Sequence, residues 1–345
     1  MWFFSRIYAW VLPVVFGLGT LFGVTVIHAD GVTDLNALKK QYHRPLYIRI
    51  PRDKSYNPQI ATLGKMLFFD PRLSGGQNTS CASCHNPSFG WETPVSGAIG
   101  GANTPLERHA QTLLNMAWVK PYFWDGRAAT LEEQVLGPIT SPLEMNAPMD
   151  VVVARLKRVN QYQTWFDRLY PETGITPETI QNAIATFERT IVSGWSDFDH
   201  WIEGDENALS DDAIAGFTLF NGKAGCADCH TGWNFTDNAF HNIGMPDDDI
   251  GRAAITQNHS GDKFAFKTPG LRNITLRAPY MHDGSVPNLH AVIQHYAKGG
   301  DPDKFFASEL APFDISQNEI EQLIAFLESL SEPIINVPPA VLPAN

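Results

Sequence analysis

The 345-residue chain has four cysteines, and all four fall in two copies of one pattern, Cys81-Ala82-Ser83-Cys84-His85 and Cys226-Ala227-Asp228-Cys229-His230. Two thiols so spaced lie on one helical turn at the separation of the two vinyl groups of a haem, and the histidine that follows delivers an imidazole to the iron. The pattern points to two covalently attached haem c groups, with Cys81, Cys84, Cys226 and Cys229 as attachment points and His85 and His230 as iron ligands. Two disulfides, a thiol redox pair or half of a zinc site would also use such cysteines. Each of those readings leaves both histidines without a role.

The two motifs are the most visible part of a longer repeat. Gly64-Lys65-Met66-Leu67-Phe68 leads into the first and Gly216-Phe217-Thr218-Leu219-Phe220 into the second. Asn115 and Asn273 follow them, and ten residues beyond each asparagine stands an Asp-Gly pair, Asp125-Gly126 and Asp283-Gly284. Leu131 and Leu289 keep the register. Seven residues past those leucines the copies diverge, to Pro138 in the first and Tyr296 in the second. Proline cannot ligate iron, whereas a phenolate can. With position conserved relative to the haem, His230 and Tyr296 close the second iron while the first keeps an open face opposite His85. On residue type alone, Tyr296 reads equally as a half-buried helix tyrosine.

The elements that must carry these groups read as mainly α. Ile180, Ile184, Phe187 and Ile191 mark one helical stripe and Ile320, Leu323, Ile324 and Leu327 another, with few alternating strands. Loops rich in Gly, Pro and Asn, such as 86–105 and 231–260, wrap the haems. The expected organisation is residues 1–29 as export signal or anchor, 30–195 as the first haem domain, 196–332 as the second, and a proline-rich tail over 333–345 that trails on the surface. After Arg6, Ile7 to Ile27 carries no charge, long enough to span a bilayer. Cleavage after Ala29 would free a periplasmic protein, and retention would tether it to the inner membrane.

With 43% hydrophobic and 18% charged residues, the bulk of the chain is a folded globular protein. Its formal charge of −12 argues against nucleic acid as a partner and is compatible with steering a basic electron carrier.

Together with both haem motifs, the Gly64 to Ser74 lead-in, Phe123-Trp124-Asp125-Gly126-Arg127, Gln134, Leu143-Glu144-Met145 and Tyr280-Met281-His282-Asp283-Gly284, ordered between Pro58 and Leu330, make the chain resemble the bacterial di-haem cytochrome c peroxidase and MauG family. The resemblance implies two cytochrome c-like domains related by duplication, with the first haem reacting with hydrogen peroxide. It casts Glu144 as acid/base, Gln134 as its pocket neighbour, Pro138 as a distal wall and Trp124 as the aromatic between the haems. The physics agrees, since one desolvated carboxyl can take a proton from the near peroxide oxygen and give it to the far one. By residue type alone, Glu144 reads as a surface glutamate and Trp124 as a core aromatic.

Within the family, peroxidases typically place methionine at the position of Tyr296, and MauG-type proteins place tyrosine, a hard anionic donor that lowers the potential. No histidine lies between Asn86 and Arg108 to block the first iron as in many members. His109 stands where the family commonly has an asparagine that helps hold calcium between the domains, with the backbone carbonyls of Arg277 and Pro279 as the other ligands, and imidazole makes that ion less secure. Ala224 stands where MauG-type proteins have a surface tryptophan, and Trp233 is out of register.

The expected activity is therefore a periplasmic di-haem peroxidase fed by a small c-type cytochrome or a cupredoxin. The rivals are a MauG-type maturation enzyme oxidising a partner protein and a plain di-haem electron-transfer cytochrome.

Overall fold

The longer helices start where short polar side chains can cap them. Asn57, Thr176, Ser210 and Ser316 each accept a backbone N–H from the first turn of the helices Pro58–Phe69, Pro177–Glu188, Asp211–Phe220 and Gln317–Glu328. In the first half, Pro58–Phe69 packs against Pro177–Glu188; in the second, Asp211–Phe220 packs against Gln317–Glu328. The close approach depends on glycine. A Cβ on Gly64 would stand 1.8 Å from the Ala183 carbonyl oxygen, and one on Gly216 would stand 1.9 Å from that of Gln322. Gly64→Ala therefore destabilises the haem-loaded protein by about 1–3 kcal/mol or more, read as a lowered Tm with the haem content of folded protein unchanged. An unchanged Tm would mean that the two backbones are not in contact there.

In this computed structural model, which describes residues 35–51, 56–257, 261–301, 308–333 and 337–344, the duplication holds residue by residue. Asn115 and Asn273 adopt positive φ, 64° and 55°, ahead of the turns Met116–Trp118 and Ile274–Leu276. The Asn115 side chain accepts the Ser193 N–H while its own N–H donates to the Ile191 carbonyl; Asn273 repeats this with Glu332 and Leu330. Cis bonds precede Pro121 and Pro279, and the Tyr122 and Tyr280 hydroxyls donate back to the carbonyls of Met116 and Ile274. Both copies then enter a helix, Leu131–Thr140 and Leu289–Lys298, that carries the divergent position.

The fold is mainly α, with two cytochrome c-like domains. Among the described residues the strands Phe240–His241 and Phe266–Lys267, antiparallel to each other, are the entire sheet. One core gathers Leu63, Leu67, Phe68, Ile180 and Ile184; the other gathers Phe198, Phe217, Phe235, Leu323 and Phe326. Tyr42, early in the chain, packs in the second core, edge-on to Phe198 and Phe217.

The proline-rich tail does not trail on the surface as expected. Val337, Ala340 and Leu342 pack on the first core, and Arg72 donates to the Pro343 carbonyl at 3.0 Å. An extended segment without internal hydrogen bonds can still bury alternate apolar side chains in a groove. The export segment, residues 1–29, lies outside the described residues, and no described helix is long and apolar enough to cross a membrane.

Candidate di-haem active site

The first motif occupies the short helix Cys81–Cys84, closed at its start by reciprocal Ser80–Ser83 hydrogen bonds, and His85 follows at once. The second sits on the tight turn Cys226–Asp228 ahead of Cys229 and His230. Both histidines are positioned alike. His85 Nδ1 lies 3.2 Å from the Trp91 carbonyl oxygen and His230 Nδ1 lies 3.0 Å from that of Phe235. Trp91 and Phe235 share a positive φ, 63° and 55°. A carbonyl only accepts, so each Nδ1 carries the proton and each Nε2 is left as a lone-pair donor, the tautomer an axial haem ligand needs. Burial lowers both imidazole pKa values and keeps them neutral.

The cysteines are equally telling. None is in a disulfide. Burial pushes the Cys84 and Cys229 thiols up to about 11 and Cys226 to about 12, and raises Cys81 further. That direction is opposite to the depressed pKa a thiol redox pair uses. Among the described residues the only metal-type cluster is Cys229, Asp237 and His241, and there both His241 nitrogens face carboxylates, Glu309 at 2.7 Å and Asp237 at 2.8 Å. The donor set fits haem c: two thiols and a tautomer-fixed imidazole, twice.

Around His85 lies a cavity of about 940 Å³, walled by both halves of the chain, that Gln134, Pro138, Glu144 and Trp124 all line. Gln134 and Pro138 come from the helix Leu131–Thr140, one turn apart, and Glu144 from the turn that ends it. Burial raises the Glu144 carboxyl above the usual range, opposed by the Arg127 charge and a hydrogen bond from Ser141. Arg127 itself is held over the Phe123 ring at 3.5 Å and paired with Asp125 at 2.8 Å. Trp124 is fixed from both domains: its Nε1 donates to the His109 carbonyl at 2.8 Å and its carbonyl accepts from Lys267 N.

In the second domain the Tyr296 phenol is desolvated beside Cys226 and Cys229, which raises its pKa. A phenolate there requires a compensating cation such as iron. Of the candidate calcium residues, the side chains of His109 and Arg277 are joined through Glu92. His109 Nδ1 lies 3.1 and 3.3 Å from the carbonyl oxygens of Val95 and Ser96, and its Nε2 lies 3.3 Å from Glu92 Oε2. The other Glu92 oxygen takes the Arg277 guanidinium at 2.9 Å, and Pro279 follows two residues on.

Several cavity groups escaped the sequence reading. Arg108 ties Asp125 to Asp249, each at 2.6 Å, across the two domains. His282 stacks on Phe266 at 3.6 Å, edge-on to Trp124, and faces Asp247 at 3.4 Å. Lys267, buried and pulled down to about 7, donates to the Pro121 carbonyl. These join distant parts of the chain, so no local spacing announces them. Glu188 did leave a signal, a carboxyl continuing an apolar helix stripe.

Known proteins share this arrangement. A family described as di-haem cytochrome c peroxidase matches residues 58–207, and one described as cytochrome c matches residues 213–331. The chain is 44% identical to the methylamine utilization protein MauG of Methylorubrum extorquens, over 94% of each chain. It is 36% identical to cytochrome c551 peroxidase of Nitrosomonas europaea, over 84% of its own length and 85% of that protein. The crystal structure of a MauG-like protein associated with microbial copper homeostasis superposes with a TM-score of 0.77 at 32% identity, covering 84% of this chain and 95% of that one. Paired haem motifs, duplicated helices and these relatives agree: the chain belongs to the di-haem cytochrome c peroxidase and MauG family, oxidoreductases that carry two haem c groups.

Proposed function

We propose that the protein is a periplasmic di-haem peroxidase that reduces hydrogen peroxide to water with electrons from a small protein donor, a c-type cytochrome or a cupredoxin. The observation that carries this reading is the divergence at one register position, Pro138 beside His85 against Tyr296 beside Cys226 and Cys229. Residues 30–195 hold the reactive haem through Cys81, Cys84 and His85, and residues 196–332 hold the second through Cys226, Cys229, His230 and Tyr296. Bound there, the haems would carry the donor's electrons to peroxide. Glu144 takes the proton from the near peroxide oxygen and returns it to the far one, Gln134 and Pro138 shape the pocket, and Trp124 bridges the domains. His109 and the carbonyls of Arg277 and Pro279 are the residues that would hold a calcium ion, and metal analysis of the purified protein tests for it.

A second reading is favoured by the 44% identity to a methylamine utilization protein and by Tyr296: the oxidising equivalents pass to residues of a partner protein during its maturation. Ala224, in place of the tryptophan of MauG-type proteins, weakens this second reading.

The oxidised, haem-loaded protein is expected to show one high-spin and one low-spin haem by EPR and to react with peroxide without prior reduction. Two low-spin haems that ignore peroxide would replace the peroxidase reading with a plain electron-transfer cytochrome. Oxidation of a co-purified partner, with negligible turnover of small donor proteins, would favour the maturation reading.

A further inference from the structure

The helix Pro177–Glu188 turns Ile180 and Ile184 into the first core, and Glu188 sits one turn beyond Ile184 on the same face. Its side chain is buried, 4% exposed, and its Oε2 has no hydrogen-bond partner among the described residues. The neighbouring cation gives it charge but no hydrogen bond: Arg189 donates from both terminal nitrogens to Glu132, at 3.2 and 2.9 Å. An unpaired buried carboxyl is costly unless it has a role in what occupies the space beside it.

That space belongs to the first haem site. Glu188 lines a cavity of about 40 Å³ together with Cys81, Cys84, His85, Gln134, Pro138 and Glu144. Glu188 and Glu144 both act on the Cys81 thiol, so two carboxyls flank one attachment point. Burial pushes Glu188 up to about 8. Of the titratable groups around this helix, Arg189 and Glu132 act on Glu188 in opposite senses, and Glu188 in turn acts on Cys81 and Tyr122.

We propose that Glu188 is the proton-accepting group coupled to the first haem, binding one proton when the iron beside His85 gains an electron and releasing it when that electron leaves. The balance is one electron from the donor protein and one proton from solvent on the way in, and the same on the way out. Over a full cycle two of each convert hydrogen peroxide to two waters. Coupling is reciprocal: an iron that is less positive when reduced favours the neutral acid, so the neutral acid favours the reduced iron. Glu188 thus tunes the iron and is a positioning residue for charge, separate from the Glu144 shuttle. The inference requires haem at His85 but not peroxidase activity, so its test contains no peroxide.

The test is a spectroelectrochemical titration of the haem-loaded protein from about pH 6 to about pH 9, following the two haems separately. The first-haem potential is expected to fall as pH rises, with a slope approaching about 59 mV per pH unit, the value of a tenfold change for a one-electron couple. Glu188→Gln, an isostere of the neutral acid, flattens that slope and leaves the second haem as it was. An unchanged slope in Glu188→Gln overturns the proposal. Should this variant fail to load haem, redox-difference infrared spectra of the wild type decide. A protonated-carboxyl band that grows on reducing the first haem, and moves to lower pH when Glu132→Gln releases Arg189, supports the proposal. A spectrum without any carboxyl change overturns it.

Discussion

Glu144→Gln lowers kcat/KM for hydrogen peroxide by about 10²- to 10⁴-fold, the range expected when a general acid–base group is removed. Glutamine keeps the shape and the hydrogen-bonding reach of the carboxyl but cannot carry a proton from one oxygen to the other. Haem content and the spin state of the oxidised protein are expected to stay as they were, because the proposal gives Glu144, which lines the cavity beside Gln134 and Pro138, a proton to carry and no bond to iron. The pH profile supplies a second reading of the same residue. Burial holds the Glu144 carboxyl above the usual carboxylate range, against the pull of Arg127 and Ser141. The shuttle must begin as carboxylate, so wild-type kcat/KM rises with pH as the group ionises, and the midpoint lies above that of an exposed glutamate. In Glu144→Gln this limb disappears and the residual rate is flat across it. A loss smaller than about tenfold, with the acid limb intact, would assign proton transfer to another group in the cavity.

The parts of the molecule that repeat are the parts legible in the sequence. Asn115 and Asn273, Asp125 and Asp283, and Leu131 and Leu289 stand in register because each performs one local task in both copies: a positive-φ turn, a polar turn residue, a buried helix start. A local task leaves a local pattern. Apolar stripes such as Ile180–Ile184 declared their helices for the same reason. The joint between the copies has no such pattern. Arg108 to Asp249, His282 to Asp247 and Lys267 to Pro121 are single long-range contacts whose partners are set by how two finished domains meet. The same limit explains the chain ends: Tyr42 is packed in the second core and Val337 to Leu342 on the first, exchanges that chain order cannot foretell. Glu188 is an intermediate case. Its position on an apolar face was visible, whereas its lack of a hydrogen bond from Arg189 depends on that side chain pairing with Glu132, a contact made only in the folded state.

Tyr296→Phe separates the two haems most sharply. Phenylalanine fills the same space on the helix Leu289–Lys298 but has no oxygen to offer. With Tyr296 as the proposed ligand, the second haem is expected to change from low-spin to high-spin, while the first is untouched because its register position is Pro138. Removing an anionic oxygen donor also removes the charge that favours the more oxidised iron, so the potential of the second haem rises. Peroxide still reacts at the first haem, yet the oxidised protein that follows decays about tenfold faster or more, since the second site no longer stabilises the oxidising equivalent it shares. Stopped-flow absorbance after one equivalent of peroxide, paired with EPR of the resting protein, reads both effects. A variant that keeps a low-spin second haem would show that another side chain closes that iron and that Tyr296 is an ordinary helix tyrosine. Loss of the second-haem low-spin signal together with the long-lived oxidised state would make the one divergent pair in the repeat, Pro138 and Tyr296, the feature that assigns chemistry to one domain and charge storage to the other.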